Sequence, residues 1–169
     1  MEAVAKRVRP KDVAIAVALA IFALTMVKDV RVPVLSLVDL GFHELGHLVT
    51  YVFPDVVTAM AGSFFQVAVP FGLAVYFLLV QRDLAASGFL LGWAGTSAYD
   101  AARYIADAPY ERLELLGGDH DWAFVLTELN QIQNAATYAA LVRVLAWAML
   151  ATGIALVAWR YAGDWLRER

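Results

Sequence analysis

The stretch GFHELGHLVTYVF, residues 41–53, sets two histidines and a glutamate into a run otherwise apolar enough for lipid. Ionisable side chains at membrane depth are costly and face a bundle interior or a wet cavity, so their presence there points to a task. The run belongs to a chain of 169 residues, 62% hydrophobic and 17% charged, with a mean hydropathy of +0.64. A soluble domain carries about 25% charged residues. The composition therefore predicts an all-α integral membrane protein, one domain over residues 1–169, embedded in the lipid bilayer. Its apolar runs suit helices of about twenty residues across a hydrocarbon core about 30 Å thick, and the strand alternation of a lipid-facing barrel is missing.

Working outward, the first predicted span runs from Asp12 to Val32 and reads as a plain lipid-facing anchor. Its basic leader MEAVAKRVRPK resembles a signal peptide, but no convincing cleavage site follows, so the span is taken as uncleaved. The second, Pro33 to Phe53, carries the opening stretch and stops at Pro54. The third, Val56 to Val80, contains Gly62, Ser63, Gln66, Pro70 and Gly72 and is expected inside the bundle or broken. The fourth, Leu84 to Asp107, carries Thr96, Asp100, Arg103 and Asp107 on one face. After the charged loop APYERLELLGGDHD comes an amphipathic segment, Trp122 to Asn134, and a last span, Ala136 to Tyr161. The expectation is a polytopic bundle of five or six spans.

Four basic residues ahead of the first span favour a cytoplasmic N-terminus. Five crossings would place the basic C-terminus outside, against the same rule. Either one segment is re-entrant, or Trp122–Val142 and Val144–Tyr161 are separate helices divided at Arg143. A net charge of −3, with acids gathered between Asp100 and Asp121, speaks against nucleic acid as a partner. The absence of cysteine removes disulfides and thiolate ligands.

His43 and His47 lie four residues apart, so a helix projects both imidazoles from one face. That spacing suits two nitrogens on one zinc ion, with Glu44 beside the metal to take a proton from an activated water. Asp39, one turn before His43, is placed to accept its second ring N–H. Catalytic zinc takes three protein ligands and keeps one position open. The third candidate is His120 in GGDHDW, the one remaining histidine, with Asp119, Asp121 and Asp100 as alternatives. Gln66 and Ser63 read first as interhelical hydrogen-bonding groups, and Gly41 and Gly46 as points of close helix approach.

The residues FHELGH, Phe42 to His47, followed by AGSFFQVAVP, Ala61 to Pro70, resemble the site-2 protease family of intramembrane zinc metalloproteases. The resemblance implies a membrane-embedded core that cleaves a transmembrane protein or peptide, with His43 and His47 as zinc ligands and Glu44 as base. The family's usual third ligand, an aspartate in a motif ending Asp-Gly, has no counterpart here, and no inserted PDZ domain fits this length. The same chemistry would serve a hydrolase of lipid amides or esters, and a closed four-ligand site would make a non-catalytic metal-binding scaffold. The compact architecture suggests a prokaryotic plasma membrane.

Overall fold

A computed structural model describes residues 10–114 and 119–167. Gly117 and Gly118 of the GGDHDW segment lie outside the described residues. Six α-helices follow one another: α1 Pro10–Val27, α2 Leu35–Thr50, α3 Asp55–Leu79, α4 Leu84–Asp107, α5 Asp121–Glu128 and α6 Ala135–Arg167, with a short 3₁₀ turn at Ile132–Asn134 before α6. No strand occurs among the described residues. Three segments, Pro10–Val27, Asp55–Leu79 and Ile132–Ala162, are long and apolar enough to cross a membrane. α6 runs unbroken through Arg143, so the alternative of two helices divided there does not hold.

Local chemistry sets the helix ends. Asp83 caps α4 by accepting from the backbone N–H groups of Ala85 and Ala86 at 3.0 and 3.1 Å. Pro54, held at φ −55° and ψ 145°, separates α2 from α3. Pro70 lies within an unbroken α3 and is fully buried, so neighbouring helices cover the backbone carbonyl that its ring leaves unpaired. Val34, between α1 and α2, sits at φ 63°, and Leu35 N–H donates to the Pro33 carbonyl at 2.6 Å. That is a γ-turn, strained for a β-branched residue.

α4 is the centre of the bundle. Its buried residues run from Ala85 to Ile105, most of them Ala, Gly or Ser, and it packs against α1, α3 and α6. These small residues let backbones approach, so the helices are held together by close van der Waals packing. Gly88 and Gly153 are the tightest case: a Cβ built on either one runs into the other's carbonyl. α1 is more than a lipid-facing anchor, because Leu19, Phe22 and Met26 are buried in the same core as Ala98, Ala146 and Leu150. Its opposite side, with Val13, Val17, Ile21 and Leu24, stays exposed.

Two ion pairs tie the segment between α1 and α2 to α4. Arg31 meets Asp100 at 2.9 Å and Asp29 meets Arg103 at 3.3 Å. Arg103 also approaches Asp100 at 3.6 Å, as the helical spacing suggests. Asp107 instead accepts from the N–H groups of Arg112 and Leu113 and closes the end of α4.

Overpacking a close-packed contact costs about 1–3 kcal/mol. Gly153→Leu is therefore expected to lower the thermal unfolding midpoint of the detergent-solubilised protein. Gly72→Ala, where an added Cβ meets nothing within 4 Å, is expected to leave the midpoint where it is or raise it slightly.

Candidate metal centre

The two histidines project from α2 onto α3, and the two helices touch at backbone distance. A Cβ on Gly46 would strike the Ala61 carbonyl and come within 2.9 Å of the Gly62 nitrogen. Gly62 leaves room on the other side of the seam: a Cβ there would lie 2.6 Å from His43 Nε2 and 2.7 Å from His47 Nε2. Gly41, by contrast, has open space around it and mediates no close approach.

Each ring is held by its Nδ1. His47 Nδ1 lies 2.9 Å from the Thr58 carbonyl, which can only accept, so this nitrogen carries the proton. His43 Nδ1 lies 3.2 Å from Gln66 Oε1, and Gln66 Nε2 donates to the Ser97 carbonyl at 3.0 Å. The Ser97 acceptor fixes which way the Gln66 amide faces, and so makes His43 Nδ1 the donor. Both Nε2 atoms are thereby turned toward Asp121, whose Oδ2 lies 3.0 Å from that of His43 and 3.4 Å from that of His47.

These three donors, one from each residue, lie within 4.8 Å of one another. With both Nδ1 atoms protonated, the Nε2 lone pairs face a carboxylate oxygen. Such an arrangement is stable only with positive charge among the three, as a proton on an imidazole or as a metal ion. A tetrahedral ion with bonds of about 2.1 Å separates its ligands by roughly 3.4 Å. The two histidine-to-aspartate distances fit that spacing, and two imidazoles with one carboxylate are a donor set zinc accepts.

His120, expected as third ligand, is not part of this group. Its ring is buried and turned elsewhere: Nδ1 accepts from Ala123 N–H at 3.2 Å, capping α5, and Nε2 points at Asp107 Oδ2, 3.4 Å away, without a hydrogen bond. Capping leaves the next residue, Asp121, at the helix start and directed at the histidine pair. Asp119 and Asp100 line the surrounding cavity but are not among the three convergent donors. Asp39 also differs from expectation. It is buried and accepts from Trp93 Nε1 and Ser97 Oγ of α4, both at 2.8 Å, while Gln66 holds His43 in its place. Ser63 accepts from Trp122 Nε1 at 2.9 Å, an interhelical bond as its position suggested.

Tyr104 went unrecognised in the sequence although it lies one turn beyond Asp100 on the polar stripe of α4. Its hydroxyl accepts from Asp121 N–H at 2.9 Å and lies 3.5 Å from Asp121 Oδ2. Its ring stacks on His120 with centroids 4.2 Å apart. A cavity of about 460 Å³ opens over the cluster, lined by His43, Glu44, His47, Asp121 and Tyr104, with Arg31 on its wall. Glu44 is exposed there.

In protein labelled with ¹⁵N-histidine, the neutral ring of His47 is expected to carry its proton on Nδ1 and not on Nε2. The reverse tautomer would break its bond to Thr58 and move its free lone pair away from Asp121. No protein-family model, curated protein or solved structure matches this chain.

Proposed function

We propose that the chain is an integral membrane zinc peptidase that hydrolyses a peptide bond of a membrane protein or peptide. The observation that carries this reading is the convergence of His43 Nε2, His47 Nε2 and Asp121 Oδ2 beneath a cavity into which Glu44 opens. The H-E-x-x-H sequence and its resemblance to the site-2 protease family support the same reading. His43, His47 and Asp121 would hold the metal, with Gln66, Thr58 and Tyr104 fixing their orientation. A zinc ion bound there supplies a Lewis acid that brings the pKa of water toward 7.

The remaining steps belong to the chain's own groups. Glu44 takes a proton from water as its oxygen bonds to the scissile carbonyl carbon. It then passes that proton to the amide nitrogen as the carbon–nitrogen bond breaks, leaving a carboxylic acid and an amine. A peptide bond within an intact helix is shielded by its own hydrogen bonds, so the substrate must enter the cavity locally unwound. The polar wall made by Arg31, Asp100 and Tyr104 offers partners to the backbone groups that unwinding frees.

Elemental analysis of the detergent-purified protein is expected to give on the order of one zinc per chain. That zinc should be lost in His47→Ala and Asp121→Ala and kept in Glu44→Gln. Glu44→Gln should also lose roughly 10²- to 10⁴-fold in hydrolysis of membrane peptides, the usual contribution of a positioned acid–base group. Full activity in that variant would remove Glu44 from the chemistry, and hydrolysis of lipid amides in place of peptides would change the substrate class.

A further inference from the structure

The direction of each helix can be read from its contacts. Asp12, at the start of α1, lies 3.5 Å from Arg160, near the end of α6. Leu19 and Phe22 lie level with Gly92 of α4, and Asp29 just past α1 meets Arg103 near the end of α4. α1 and α4 therefore run parallel. α6 runs against them, with Gly153 beside Gly88 and Ala146 beside Gly95. α3 also runs against α4, since Gln66 meets Ser97 and Ala74 meets Ser87. One end of the bundle thus holds the start of α1, the α3–α4 turn and the end of α6. The other holds residues 28–34, the α2–α3 turn and, among the described residues, 108–114 and 119–134. The His43, His47 and Asp121 cluster lies toward this second end.

Four helices run the full distance between these ends. α4 is the least apolar of them, but α1, α3 and α6 enclose it and little of it meets lipid. α2 does not run the full distance. Its 16 residues fall short of the roughly 17–25 that a membrane-crossing helix takes, whereas the 18 of α1 lie within that range. It also begins part-way down the bundle, where Asp39 is bonded to Trp93 and Ser97, and returns to the second end at Thr50. An even number of crossings puts the start of α1 and the end of α6 on the same face.

The basic residues mark which face that is. Of the thirteen Lys and Arg, Lys6, Arg7, Arg9 and Lys11 adjoin the start of α1 in the sequence, Arg82 lies in the α3–α4 turn, and Arg160, Arg167 and Arg169 adjoin the end of α6. Eight thus adjoin the first end in the sequence. Four, Lys28, Arg31, Arg103 and Arg112, belong to the second, and Arg143 lies within α6. Two of those four are paired with Asp100 and Asp29. Cytoplasmic segments carry the excess of Lys and Arg.

We propose that the first end is cytoplasmic and that the cavity over His43, His47 and Asp121 opens on the opposite, non-cytoplasmic face of the membrane. Its substrates are then segments whose scissile bond lies at or just inside that outer boundary of the bilayer. This rests on the membrane-peptidase reading and assigns the side from which that site is reached.

The chain has no cysteine, so single cysteines can be introduced without first removing any. Three exposed positions serve: Gln133 before α6, Asp119 on the cavity wall, and Gln81 in the α3–α4 turn. With a membrane-impermeant maleimide, Gln133→Cys and Asp119→Cys are expected to label in intact cells. Gln81→Cys should label only after lysis. The reverse pattern would overturn the orientation, and equal labelling of Gln81→Cys and Gln133→Cys before lysis would overturn the four-crossing arrangement. Labelling of Gln133→Cys without Asp119→Cys would overturn the outward opening of the cavity. Recovery of the protein outside the membrane fraction would instead overturn the membrane reading itself.

Discussion

Everything at the candidate site depends on how closely α2 can approach α3. Side chains at positions 46 and 62 would hold the helices apart: at 46 the new atom meets the Ala61 carbonyl, and at 62 it occupies the space before both Nε2 atoms. With glycine at both, His47 reaches the Thr58 carbonyl directly, so a backbone group that cannot rotate orients its ring. His43 reaches Gln66, which is anchored in turn to the backbone of α4. The α2–α3 seam thus sets the tautomer of both rings. The tautomers turn two lone pairs toward one carboxylate, an arrangement that calls for positive charge among the three.

The carboxylate arrives by a different route, through a stack of side chains at the end of α4. Asp107 faces His120, His120 caps α5 and stacks on Tyr104, and Tyr104 accepts from the backbone of Asp121. An eight-residue helix is too short to hold itself in water or lipid. Its position is therefore inherited from that stack, together with the bond from Trp122 to Ser63. His120 acts one residue away from the centre, on the geometry of its neighbour.

The apolar helices were legible because length and composition alone define them. The fourth runs from Leu84 to Asp107 as expected, and the third differs by a single residue at each end. His43, Glu44 and His47 were legible because they share one helix, where spacing in sequence is spacing in space. The third donor comes from a segment 74 residues beyond His47. The one remaining histidine, flanked by two aspartates, made GGDHDW the leading choice beside Asp100, but its geometry turns on which residue caps α5. A histidine and an aspartate side by side can exchange those roles, and the cap decides between them. Tyr104 escaped notice because its contribution is a hydroxyl accepting a backbone N–H, which leaves no charge or motif in the sequence.

Asp39 explains why α2 can be so short. A carboxylate buried at that depth is costly unless its oxygen is bonded, and Trp93 and Ser97 both donate to the same atom. Those two bonds hold the first turns of α2 against the middle of α4. The strained turn at Val34 then reverses the chain just after Arg31 and Asp29 have tied it to Asp100 and Arg103. Because these polar contacts fix its start, α2 need not extend to the far face to be held in register. Its histidines consequently sit toward one end of the bundle, where a 460 Å³ cavity with charged walls can stay wet.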